Sequence, residues 1–145
     1  MAKRFQFRLE TLHKHRQRET DSAKRAFGEV AQMRMAKERE IDGRTGYLNA
    51  LLTAPPKGKV HELQAYSSHI AAVREHIEVL KAELANIAEI EAMRRNELTR
   101  TMRDENVLDT LRDKHVEQHR QALLAEEQAT LDEIALRSKP LLSGM

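Results

Sequence analysis

Residues 63–87 read LQAYSSHIAAVREHIEVLKAELANI, and this stretch decides the fold. Steps of three and four pick out Leu63, Tyr66, Ile70, Val73, Ile77, Leu80, Leu84 and Ile87, all apolar. A strand would alternate every second residue. A three-four alternation is the heptad seam of a helix that packs one stripe against another helix. Downstream the frame is expected to decay, because Glu91 and Arg94 occupy the stripe before Leu98.

The helix-breaking residues set its limits. Pro55, Pro56 and Gly58 cluster in residues 53–59, and Pro140 is the remaining proline. Proline inside a helix costs about 3 kcal/mol, so 53–59 reads as a loop and Pro140 as a stop. The flanking segments are rich in Ala, Leu, Glu, Arg, Lys, Gln and Met, the strong helix formers. The expected fold is all-α: a long antiparallel two-helix coiled-coil hairpin in a single unit, 1–145. Helix 1 is expected over about 7–52, a longer helix 2 over about 60–138, and a short tail over 139–145.

Helix 1 carries a weaker pattern. Leu9 and Leu12 open a frame that runs through Arg16, Glu19, Ala23, Ala26, Val30, Met33 and Lys37. It then steps by four to Ile41 before Arg44, Leu48 and Leu51. Such a step predicts a stutter, and Gly43 and Gly46 beside it predict a bend or a frayed stretch. Folding the chain about residue 56 places Leu51 opposite His61 and Leu9 near Arg103. On that register residues 108–138 overhang helix 1 without a partner. An isolated amphipathic helix is marginal in water, so the overhang calls for another protein or another copy of the chain.

Composition excludes several classes. There is no cysteine, hence no disulfide, thiol nucleophile or iron–sulfur cluster. The longest apolar runs have four residues, against the roughly 20 of a bilayer span. Together with the absence of a secretory stretch after Met1, this predicts a reducing, aqueous compartment. Net charge is +2, with a local +5 over residues 1–25 and −3 over residues 61–99. The basic start is interleaved with Glu10, Glu19 and Asp21 and lacks stacking aromatics beyond Phe5 and Phe7, so no nucleic-acid partner is expected.

No catalytic constellation emerges. The glycines are isolated, and the carboxylates alternate with Lys and Arg as solvated helix pairs. Neither enzymatic activity, a small-molecule substrate nor a cofactor is expected. His115 and His119 have the i, i+4 spacing of two zinc ligands, but no third ligand accompanies them; they read as a solvated pair with no metal. His13 and His15 face different directions. His69 and His76 lie near the loop with Val73, where polar rings suit a partner contact better than core packing.

The start of the chain, Phe5-Gln6-Phe7-Arg8-Leu9-Glu10-Thr11-Leu12, resembles the amino terminus of the flagellar export protein FliJ family. The stretch Leu131-Asp132-Glu133-Ile134-Ala135-Leu136-Arg137 is similar to the family's carboxyl-terminal signature. The resemblance implies a cytoplasmic component of the flagellar type III export apparatus, held peripherally at the inner face of the membrane at the flagellar base. It implies a coiled coil like the central stalk of rotary ATPases. Its partners would be the hexameric flagellar export ATPase, a membrane protein of the export gate, and export chaperones. On this reading Phe5, Phe7, Arg8, Leu9, Leu12, Leu131, Ile134 and Arg137 meet the ATPase. Tyr47, Leu51, His69, Val73 and His76 meet the gate, with seam packing the alternative for Leu51 and Val73. The alternatives are the stalk of a virulence type III system and a basic coiled-coil scaffold or nucleic-acid-binding protein.

Overall fold

The computed structural model describes residues 4–143. It contains two helices, α1 (Glu10–Thr53) and α2 (Val60–Ser143), of 44 and 84 residues, and no strand among the described residues. The all-α expectation holds, and the second helix is the longer. The chain divides into two compact units: Thr20–Arg100, and Met1–Glu19 with Thr101–Met145.

Within Thr20–Arg100 the seam lies where the heptads predict. Ile70, Val73, Ile77 and Leu80 are buried, and Tyr66, Leu84 and Ile87 are half-buried. Leu63 departs from the pattern and is exposed, as is every residue from 60 to 65. The first turn of α2 therefore stands clear of α1. The pairing starts where Tyr66 donates its hydroxyl to the Leu51 carbonyl at 2.6 Å, and Tyr47 meets His69. This corrects the register drawn from the loop midpoint, which set Leu51 against His61. The Tyr66 bond also occupies one of the carbonyls that a helix end leaves without a partner.

The α1 stripe differs from the predicted frame. Met33 is exposed, whereas Ala23 is buried and Phe27, Val30, Arg34, Lys37, Ile41, Leu48 and Leu51 are half-buried. With exposed Arg44 keeping its place between Ile41 and Leu48, these positions alternate by four and three throughout. There is no stutter. The sequence frame followed Met33 because it is apolar; the fold uses Arg34 in its place, together with Lys37, which the frame already held. Their aliphatic stems cover the seam and their heads reach acids on α2. Arg34 Nε donates to Glu91 at 2.6 Å, and Lys37 Nζ to Glu83 at 2.7 Å. Glu91 is buried, and Arg95 also reaches it, at 3.2 Å. Hydrogen bonding to Glu91, then to Glu38, raises the Arg34 guanidinium; the bond to Glu83 raises the Lys37 ammonium. The seam does not decay at Glu91. It turns polar and stays paired.

Helix α1 is unbroken through Gly43 and Gly46, which corrects the expected frayed stretch. Neither glycine has a positive φ, and a Cβ at either position would meet nothing within 4 Å. Gly43→Ala and Gly46→Ala are each expected to raise stability by about 0.5–1 kcal/mol, read as a higher urea midpoint by circular dichroism. Helix α2 also passes Pro140 and ends at Ser143 instead of near 138. Pro140 stands within one turn of that end, where its missing N–H removes a single intrahelical bond. The last two residues of the expected tail lie outside the described residues.

Candidate partner-binding surfaces

In the unit formed by Met1–Glu19 and Thr101–Met145, the segment 4–9 leads into α1 and lies along α2. Phe7 is buried, edge-on to His115 with ring centroids 5.6 Å apart and to His13 at 6.3 Å. Phe5 is half-buried, tilted on His119 at 5.6 Å, with the Arg112 guanidinium 5.7 Å from its ring centre. His13 is buried and hydrogen-bonded to Asp109. Around this core Glu10 pairs with Arg112 at 3.5 Å, and Arg16 with Asp104 at 3.5 Å.

Three expectations change here. His115 and His119 are not a solvated pair but the surface on which the phenylalanines rest. Glu10 reaches Arg112, whereas the folded-about-56 register set Leu9 beside Arg103. The overhang is also shorter than predicted. Leu108 is buried, and Leu111, His115, His119 and Leu123 are half-buried. The expectation stopped the cover at the start of α1 and neglected the extended chain before it, which carries two aromatic side chains.

From Leu124 to Ser138 every side chain is exposed. Leu131 is 60% and Ile134 54% exposed. Near the start of this stretch Arg120 and Gln121 donate to Glu117 and hold its carboxyl down to about 2. This depressed pKa means that the interaction is fully present above the ordinary carboxylate range and is lost as pH falls toward 2. Salt screens it, because the pair is exposed.

The predicted site residues separate into distinct environments. Arg8, Leu12, Leu131, Ile134 and Arg137 are exposed, Phe5 and Leu9 are half-buried, and Phe7 is in the interior. Near the loop the Tyr47 hydroxyl and His69 Nε2 are 2.8 Å apart, with the rings edge-on at 5.8 Å. Leu51 and His76 are half-buried, and Val73 is buried in the seam. Sequence reasoning missed His13, Asp109 and Thr20, the last of which is buried. The signal was available: His13, Arg16, Thr20, Ala23 and Phe27 continue the three-four alternation, but polar residues hold three of its first positions.

Among the described residues no group of His, Asp and Glu is arranged to hold a metal ion, and no helix is long and apolar enough to cross a membrane. The family model described as Flagellar FliJ protein matches residues 5–139. The chain belongs to the FliJ family. A FliJ-family chain is a component of the flagellar protein-export apparatus. No curated protein and no solved structure matches it. The FliJ match includes both the Phe5–Leu12 start and the Leu131–Arg137 stretch that carry the resemblance in the sequence.

Proposed function

We propose that this FliJ-family chain is a non-enzymatic stalk that binds the hexameric flagellar export ATPase and links it to a membrane protein of the export gate and to export chaperones. One observation carries the ATPase contact: the run of exposed side chains from Leu124 to Ser138, with Leu131 and Ile134 more than half in water. Two such residues three positions apart form the apolar ridge of a helix-in-groove contact. The exposed Arg8, Leu12 and Arg137 lie on the same unit and supply further contacts. Phe5, Phe7 and Leu9 hold the leading segment on α2 and so define where the uncovered stretch begins.

The gate contact uses the residues near the loop. Tyr47 and His69 present an exposed, hydrogen-bonded aromatic pair, and His76 stands seven residues along the same α2 stripe. Val73 and Leu51 support them from the seam. The protein works in the cytoplasm, peripherally at the inner face of the membrane at the flagellar base.

The test mixes the purified chain with the export ATPase and with the soluble part of the gate protein. Co-migration with a hexameric ATPase supports the stalk reading, and its absence defeats it. Tyr47→Ala with His76→Ala is expected to weaken the gate interaction at least about tenfold, on the scale of a truncated aromatic anchor, and to leave ATPase binding unchanged. Unaltered gate binding by the pair would remove the assignment of that surface.

A further inference from the structure

The turn end of the Thr20–Arg100 unit differs in charge from the rest of the chain. Over the whole sequence 25 Lys and Arg stand against 23 Asp and Glu. Between Asp42 and Glu75 the cations are Arg44, Lys57, Lys59 and Arg74, and Glu62 is the lone carboxylate. That carboxylate is folded back over the turn, where a Cβ at Gly58 would collide with it. It belongs to the first turn of α2, and a helix N-terminus favours negative charge. Lys57 and Lys59 are exposed, and neither forms an ion pair among the described residues.

Uncovered aliphatic side chains flank these lysines. Val60 is 70% exposed, and Leu52 and Leu63 are each 44% exposed. All three lie on the turn side of the Tyr66–Leu51 bond with which the helices begin to pair. They come from the last turn of α1 and the first turn of α2, so the surface is the end of two helices and not a groove between them. The Val60–Leu63 pair does not continue along α2, because exposed Gln64 and Ser67 follow it on that face. One turn of apolar contact is too short to seat a partner helix.

We propose that this end, through Leu52, Lys57, Lys59, Val60 and Leu63, docks on an anionic lipid surface. The ammonium groups stay among the lipid phosphates while the aliphatic groups enter the edge of the acyl region. An acidic protein would match the lysines alone; a lipid surface also takes up the valine and leucines beside them. Each lysine within a Debye length of an anionic leaflet strengthens binding about fivefold. Two of them with three partly exposed aliphatic groups make a weak, reversible contact. The inference rests on the peripheral location read above and gives it a lipid contact of its own. It needs no gate protein, since Tyr47, Leu51, His69, Val73 and His76 take no part.

The test sediments the purified full chain, with no other protein, together with vesicles of phosphatidylcholine alone or mixed with phosphatidylglycerol. Binding to the mixed vesicles is expected to be at least about tenfold tighter and to fall as salt rises. Lys57→Gln with Lys59→Gln is expected to weaken it about thirtyfold, and Val60→Ser with Leu63→Ser at least about tenfold, with the helicity of both variants unchanged. Lys24→Gln with Arg25→Gln, an exposed basic pair in the middle of α1, is expected to leave it unchanged. Tyr47→Ala with His76→Ala should also spare vesicle binding, so a failure here and a failure of the gate contact are told apart. Equal binding to the two kinds of vesicle, or binding to neither, would overturn the proposal. So would loss of vesicle binding through the Lys24/Arg25 pair. Capture of a polyglutamate peptide through Lys57 and Lys59, with none of the mixed vesicles, would assign the surface to an acidic protein instead.

Discussion

Leu80→Ala is expected to destabilise the chain by about 2–4 kcal/mol in a urea titration followed by helicity, while Arg94→Ala costs under about 0.5 kcal/mol. Leu80 is 3% exposed, the lowest value among the buried hydrophobic residues. Its truncation removes buried methyl groups and opens a gap between two helices. There is no third layer to close over that gap. Arg94 occupies a heptad position of the same helix, yet it is exposed and pairs with Glu97 at 3.6 Å. The contrast separates a seam position that packs from one that only keeps the period. Equal losses would mean that the apolar seam has been misplaced.

Leu131→Ser with Ile134→Ser is expected to leave the urea midpoint of the isolated chain nearly unchanged and to weaken ATPase binding by about a hundredfold. Neither side chain has intramolecular cover, so their loss costs the fold little beyond the small helix-propensity difference. In a partner's groove each would contribute roughly 1.5–3 kcal/mol, and about 3 kcal/mol in total corresponds to a hundredfold in affinity. Stimulation of ATP hydrolysis should fall in parallel. Unfolding of the isolated double mutant would show instead that these residues are packed internally.

The fold was legible because its strongest signal was local. Ile70, Val73, Ile77 and Leu80 are apolar, evenly spaced and buried as the period requires, and Pro55-Pro56 marks the turn. The departures share one physical cause, namely that hydrophobicity alone does not assign a helix face. Met33 was taken for a seam residue and Arg34 was not. Yet a guanidinium stem covers the seam while its head satisfies buried Glu91. The same substitution of polar for apolar side chains hid His13 and Thr20.

The register was less legible than the pairing. A loop midpoint assumes that both helices begin to pair at their first residue, whereas residues 60–65 remain exposed and Tyr66 makes the first anchoring bond. The candidate sites followed the same division. His69 and His76 were legible as unusual polar rings near the loop, and Tyr47 through the family resemblance. That Phe5 and Phe7 rest on His119 and His115 was not legible, because two histidines one turn apart with no third ligand beside them read as a solvated pair.

The central claim is that the 124–138 stretch of α2 meets the export ATPase, and a photo-reactive side chain tests it most directly. The group is placed at position 131 in one preparation and at position 35 in another. Met35 is also an exposed apolar residue, but it lies on α1 within Thr20–Arg100. On illumination with the purified ATPase, position 131 is expected to give a covalent adduct with an ATPase subunit, and position 35 none. An adduct from position 35 with none from position 131 would contradict the account.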